Sequence, residues 1–186
     1  MPKISTYPTV TPADSDLILI SDANDSSNTK NVTISSLRSG LSAYTEIYNN
    51  STGNSTSIAV QGFFYKMAAS TAQGLTNDAS LTMDVAGRVT NTGATRTFAI
   101  TYSASATTAS GNNQHIMFRL AKNGTTISYS ETDTVTISGP NSKASSVSNT
   151  VLVQLLANDY IEIWCTNNTS TNAVVLEHLN LVLRQI

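Results

Sequence analysis

The chain reads as an all-β protein, an antiparallel β-sandwich preceded by a short hairpin. Three observations carry that expectation. Serine, threonine and asparagine together supply 70 of the 186 residues, and threonine favours strands while serine and asparagine favour turns. Several segments alternate apolar and polar residues with the period of a strand. Turn signals separate them at roughly ten- to fifteen-residue intervals, the punctuation of a sandwich. No long amphipathic helix and no internal repeat is visible.

The first forty or so residues stand apart. Pro2, Pro8 and Pro12 hold the opening stretch extended. Residues 17–20, Leu-Ile-Leu-Ile, form a short buried-strand pattern. The polar tract 22–28 turns the chain, and 31–34 read as the returning strand. Residues 35–41 read as a capped helical turn, with Ser35 or Ser36 as N-cap and Gly40 as the stop. A hairpin of this size has too little core to fold alone and calls for a partner surface. Residues 42–56 are expected to be a linker, because 49–57 contain no apolar residue; an exposed loop is the other reading.

From 57 to 186 the pattern is strands. The first is expected at 58–67, with Phe63, Phe64 and Tyr65 at its centre, and 68–76 reads as loop. Residues 81–89 are interrupted at Gly87, which marks a turn or bulge. Residues 96–105 alternate cleanly. Asn123-Gly124 between 115–121 and 125–130 is the strongest hairpin signal in the chain. Further strands fall at 134–138, 146–156, 160–166 and 173–186. In 160–166, Ile161, Ile163 and Cys165 share one face, and Tyr160, Glu162 and Trp164 share the other.

Composition argues against several functions. Ten basic residues stand against twelve acidic ones with no basic cluster, so nucleic acid is not an expected partner. No apolar run approaches the ~20 residues of a membrane-spanning helix, so no membrane insertion is expected. Met1-Pro2-Lys3 leads into a polar stretch without a signal-peptide core, which points to synthesis in a cytoplasm. The single cysteine, Cys165, can form no intrachain disulfide and reads as a small buried hydrophobe. His115 and His178 fall in no metal-binding spacing and read as surface or interface residues. Seven of the twelve carboxylates lie in turns, where capping or solubility accounts for them. Neither a phosphate-binding glycine loop nor a nucleophile elbow is present. No enzymatic activity, cofactor or metal is expected.

Two stretches carry a resemblance. Residues 152–168 followed by 179–183, with 96–102 and 118–125, resemble the C1q/TNF-like jelly rolls: a strand, a Gly-Asp turn, an alternating strand, a polar loop and a closing apolar strand. Here Asn158-Asp159 stands at the turn, and asparagine tolerates the same left-handed backbone. The likeness covers 57–186 and implies a jelly-roll sandwich that assembles as a homotrimer. Strands apolar on both faces also call for outside cover. On that basis Phe63, Tyr65, Phe118, Tyr160 and Trp164 are the expected trimer interface; the rival is a monomer with a few exposed aromatics.

The second resemblance is N-terminal. Lys3-Ile4-Ser5-Thr6-Tyr7-Pro8, then 16–22, then Lys30-Asn31-Val32-Thr33-Ile34-Ser35-Ser36-Leu37 are similar to the particle-binding module of tailed-phage fibre and virion proteins. It implies that residues 1–41 fasten the chain to another virion protein, on the capsid or the tail, through Ile4, Tyr7, Leu17, Ile18, Leu19, Ile20, Val32, Ile34 and Leu37. The resulting expectation is a non-enzymatic virion structural protein, a capsid decoration or short head fibre exposed on the particle. The alternative is a tail-fibre receptor-binding protein that contacts host surface glycans or proteins through loops such as 105–114, 139–146 and 167–172.

Overall fold

The structure is a computed structural model that describes residues 13, 15–22, 28–34, 43–50, 53–136 and 144–186. The chain divides into two compact units, residues 1–42 and 43–186.

In the first unit, β1 (Leu17–Asp22) and β2 (Asn28–Thr33) pair antiparallel, from Leu17 opposite Thr33 to Asp22 opposite Asn28. The Ile34 amide donates to the Asp16 carbonyl (3.0 Å) and closes the open end. The Ala13 amide donates to the Asp16 carboxylate (2.8 Å), fixing the entry turn. Leu17, Ile18, Leu19 and Ile20 are all exposed. Neighbouring strand residues point to opposite faces, so both faces of β1 are bare within this unit. Val32 and Ile34 are half-buried. Ile4, Tyr7, Leu37 and the expected helical turn at 35–41 lie outside the described residues.

The second unit is a two-sheet antiparallel sandwich. Its first sheet runs β13 (Ser145–Leu155), β9 (Arg96–Thr108), β15 (Val174–Gln185), β3 (Tyr44–Asn49), β6 (Ala72–Thr76), and β4 (Asn54–Thr56) also pairs with β15. Its second runs β11 (Thr125–Thr126), β10 (Gln114–Lys122), β14 (Tyr160–Asn167), β8 (Val89–Asn91), β7 (Leu81–Met83). Two more strands join that sheet: β12 (Thr132–Thr136) pairs with β10, and β5 (Tyr65–Lys66) with β14. The core lies between the sheets. Phe98, Ile100 and Tyr102 of β9, Leu176, Leu181 and Leu183 of β15 and Ile47 of β3 face Ile116, Phe118 and Leu120 of β10 and Ile161, Ile163 and Cys165 of β14.

The alternating segments become the long strands. In β9 the buried residues are Phe98, Ile100, Tyr102, Ala104, Ala106 and Thr108, every second position. The Asn123-Gly124 turn has φ of 52° and 77°, the left-handed pair that a two-residue hairpin requires. Asn158 also sits at φ 67°. Gly87 turns the chain between β7 and β8 at φ 84°.

Four segments depart from the sequence reading. Residues 44–49 and 54–56, expected within the 42–56 linker, are strands of the sandwich. β3 pairs with β15 over six rungs, and Ile47 is fully buried. Thr45 and Asn49 are buried beside it, so polar residues face inward and hide the alternation. The strand expected at 58–67 shrinks to Tyr65 and Lys66: Gly62 turns the backbone at φ 77°, and Phe63 is exposed. Residues 72–76, expected as loop, form the edge strand β6 against β3. Within 125–130, Ser128–Ser130 is a 3-10 turn, with only Thr125–Thr126 in the ladder.

Candidate functional site

The outer surface of the second sheet carries the most elaborate side-chain constellation among the described residues. Because Ile161, Ile163 and Cys165 fill the core, alternation turns Tyr160, Glu162 and Trp164 outward. Strand register then sets their neighbours. Trp164 lies opposite Arg119 of β10 on one side and Lys66 of β5 on the other.

Glu162 is the pivot. It is only 2% exposed, and its carboxylate accepts four bonds. Lys66 Nζ (2.7 Å), Arg88 Nε (3.1 Å) and Arg88 Nη2 (3.0 Å) meet Oε1, and Trp164 Nε1 (3.2 Å) meets Oε2. Burial by itself pushes the carboxyl up; the bonds from Lys66, Trp164 and Arg88 outweigh it and hold the group below its ordinary range. The same arrangement raises Arg88. The Arg88 guanidinium lies 3.9 Å from the centre of the Tyr160 ring. Arg119 repeats the device: it bonds Glu131 (Nε to Oε2 2.8 Å, Nη2 to Oε2 2.6 Å) and lies 4.4 Å from the Phe64 ring centre.

Where the strands end, the turns are clamped. Lys122 pairs with Asp159 (2.7 Å), and Asn123 donates to the same carboxylate (2.6 Å) while accepting from the Tyr160 amide (2.9 Å). Burial pushes Asp159 up, but Lys122, Asn123 and the Leu156 amide together hold it low. Arg96 bonds Asp78, Ser80 and Asn91 in a second clasp, and Asp78 is likewise held low against its burial. Sequence spacing reads both aspartates as turn residues. Their distant cations have no local signature.

The outer surface of the first sheet is different. Its outward positions on β9 and β15 include Ala99, Thr101, Ser103, Asn180 and Val182, small or uncharged groups, and then Arg184. A β-bulge between Leu176 and His178 turns both Glu177 and His178 outward. A shallow groove of about 620 Å³ follows, lined by Glu46, Tyr48, Ser103, Ser105, His178 and Asn180. Within it Asn180 Nδ2 donates to Glu46 Oε1 (2.6 Å).

Phe118 is fully buried in the sandwich core, opposite Thr132 and Cys165. It therefore cannot line an interface between copies; β10 turns its even-numbered residues inward, and Phe118 is one of them. Tyr65 packs against the core, and its hydroxyl accepts from the Val60 amide (3.0 Å). Phe63 is exposed. Tyr160 and Trp164 face outward as expected, but Arg88 and Glu162 partner them within the chain. Both remain partly exposed.

His115 bonds Asp133 (2.7 Å) at the sheet surface. Cys165 is fully buried, and desolvation pushes its thiol up to about 12. Among the described residues no cluster of histidine, cysteine and carboxylate side chains has the form of a metal site. No described helix is long and apolar enough to cross a membrane.

Residues 43–186 have the fold of an antiparallel jelly-roll sandwich, similar to that of TNF proteins. It superposes on the Eiger TNF of S. frugiperda with a TM-score of 0.52 and 14% identity, covering 78% of this chain and 91% of that one. Murine APRIL at pH 5.0 gives 0.51 and 11%, covering 78% and 99%. Vertex protein P5 of PRD1 gives 0.46 and 11%, covering 77% and 95%. No protein-family profile and no curated protein sequence matches the chain. Identities this low make the likeness one of fold.

Proposed function

We propose that the chain is a virion structural protein of a tailed phage, a capsid decoration or short head fibre anchored by residues 1–41. The observation that carries this reading is the N-terminal hairpin. It forms a compact unit of its own yet leaves Leu17, Ile18, Leu19 and Ile20 exposed at 60%, 38%, 72% and 40%. Four adjacent aliphatic side chains bare on both faces of a two-stranded ribbon need a partner to bury them. The N-terminal resemblance to phage particle-binding modules supplies the nature of that partner, another virion protein.

The C1q/TNF-like resemblance supports a homotrimer. The outer surface of the first sheet offers a patch for such contact: Ala99, Thr101, Ser103 and Val182 are small enough for close approach, with the charges of Arg184 and Glu46 beside Ala99 and Val182. The assembly is non-covalent and needs no cofactor.

The test is the particle itself. Cryo-EM of intact virions should show three copies per appendage at the capsid. Leu19→Asp should leave the head folded while stripping the protein from purified particles. Absence of the wild-type chain from virions refutes the reading.

A second reading, attachment to the host surface, is favoured by the outer surface of the second sheet. Density at the distal tail would select it.

A further inference from the structure

We infer that the outer surface of the second sheet, centred on Trp164, is a binding platform for a neutral saccharide. This inference deepens the host-attachment reading and rests on it.

The first observation is a local enrichment. The chain has one tryptophan and is 12% charged. On this surface Trp164, Tyr160 and Phe64 lie together, interleaved with Arg88, Arg119 and Glu162. Trp164, Tyr160 and Phe64 remain partly exposed, and the neighbouring Phe63 is 65% exposed. Tryptophan, tyrosine and arginine are the side chains that dominate recognition surfaces.

The second observation is rigidity. The Trp164 indole is held by its bond to Glu162, itself locked by Lys66 and Arg88. Arg119 is held between Glu131 and Phe64. Side chains already fixed lose little freedom when a ligand arrives.

The third observation is charge balance, which selects the ligand. Lys66 and Arg88 pair with Glu162, Arg119 with Glu131 and Lys122 with Asp159, while Asp84 stands 3.9 Å from Arg88. His115 likewise has Asp133 (2.7 Å) on this sheet, so each cation has a carboxylate partner and no lone charge invites an anion or a cation. It offers aromatic surface beside oriented polar groups. A pyranose is complementary to that pairing: one face of C–H bonds lies on an aromatic ring, and the hydroxyl edge reaches guanidinium and carboxylate groups. An apolar peptide would have to desolvate the ion pairs with nothing in return.

Because Trp164 is the sole tryptophan, its emission reports this surface alone. The full chain is titrated separately with glucose, galactose, mannose and N-acetylglucosamine, reading Trp164 emission and saturation-transfer NMR of the sugar. A saturable response is expected for at least one sugar. Arg119→Gln should weaken it about tenfold. Trp164→Phe, read by NMR alone, should weaken it by a similar factor, with thermal melts showing both variants folded. No saturable response to any of the four overturns the inference. So does a response unchanged in both variants.

Adsorption of the purified chain to host cells is measured in parallel. Adsorption that persists in both variants overturns the site and leaves host attachment standing. Loss of the sugar response together with absent wild-type adsorption removes the attachment reading as well.

Discussion

Replacing Glu162 by glutamine tests the electrostatic core of the second sheet's outer surface. The carboxylate satisfies four donor contacts from three side chains, with Lys66 and Arg88 on Oε1 and Trp164 on Oε2. A glutamine has one acceptor oxygen. If that oxygen keeps the cations, the amide NH2 confronts the Trp164 N–H, donor against donor. Bonds to a charged group contribute about 1.5–3 kcal/mol each. Here the Lys66 and Arg88 side chains are 32% and 37% exposed, so water takes over part of their role and screening reduces the total. We expect Glu162→Gln to cost about 2–3 kcal/mol near neutral pH. For a chain of this size that lowers the melting midpoint by about 4–12 °C.

The pH dependence has a definite sign. The folded carboxyl is held below its ordinary 4.5, so its stabilisation is present in full above the unfolded-state value. It disappears as pH falls through the lower, folded-state value. The stability gap between wild type and Glu162→Gln should therefore be full at neutral pH and close progressively in acid. Urea unfolding followed by Trp164 emission at a series of pH values measures it. A gap below about 0.5 kcal/mol at neutral pH, well short of one charged hydrogen bond, refutes the reasoning. A gap that does not narrow in acid refutes it equally.

Three further outcomes are expected. A fragment starting at Ala43 should melt like the head of the full chain, whereas one starting at Ser57 should fail to fold, because it lacks β3 with buried Ile47 and β4; equal melting of the two would place the boundary elsewhere. Tyr102→Phe removes a buried hydroxyl that donates to the Ser130 carbonyl (2.7 Å) and contacts Thr132 Oγ1 (2.9 Å). Urea denaturation should show a loss of about 1–2 kcal/mol with unchanged slope, and no loss would mean that water replaces the hydroxyl. Cys165, with its thiol pushed up to about 12, should react with a disulfide reagent at mildly alkaline pH only as fast as the sandwich opens, and labelling at a free-thiol rate would show that the strand is accessible.

What the sequence disclosed depended on whether burial followed polarity. β9, β13, β14 and β15 were legible because most of their inward positions are apolar at a spacing of two, in β15 on either side of its bulge. β3 was not, since Thr45 and Asn49 flank Ile47 on its buried side and a polar tract follows. β6 offers Ala-Gln-Gly-Leu-Thr at the sheet edge with no buried residue, so there was no hydrophobic pattern to find. Conversely, the aromatic run at 63–65 looked like a strand centre, yet Phe63 is exposed beside a positive-φ glycine. The site was half legible. Alternation placed Tyr160, Glu162 and Trp164 on one face, but Lys66 and Arg119 arrive through strand register, and Arg88 from the turn that leads into β8. Register is a property of the folded sheet. The same reason explains Phe118: its aromatic ring looked available for a partner, while the parity of β10 turned it into the core.

The antiparallel pairing of β3 with β15 gives the head a polarity. Arg184 lies opposite Tyr44, and the Gln185 amide bonds the Ala43 carbonyl at 2.7 Å, so the polypeptide enters and leaves the sandwich side by side at one pole. The start of β15 at Val174, the end of β9 at Thr108 and the β4 residue Thr56 meet at the other pole. A peptide fused after Ile186 would thus emerge beside the point where the chain enters the sandwich at Ala43. Cargo meant to stand clear of both chain ends belongs instead in the 109–113 turn, at the opposite pole, where residues Ala109, Ser110 and Gly111 are exposed. As a display scaffold, the sandwich would carry its passenger in a loop and keep both chain ends at the far pole.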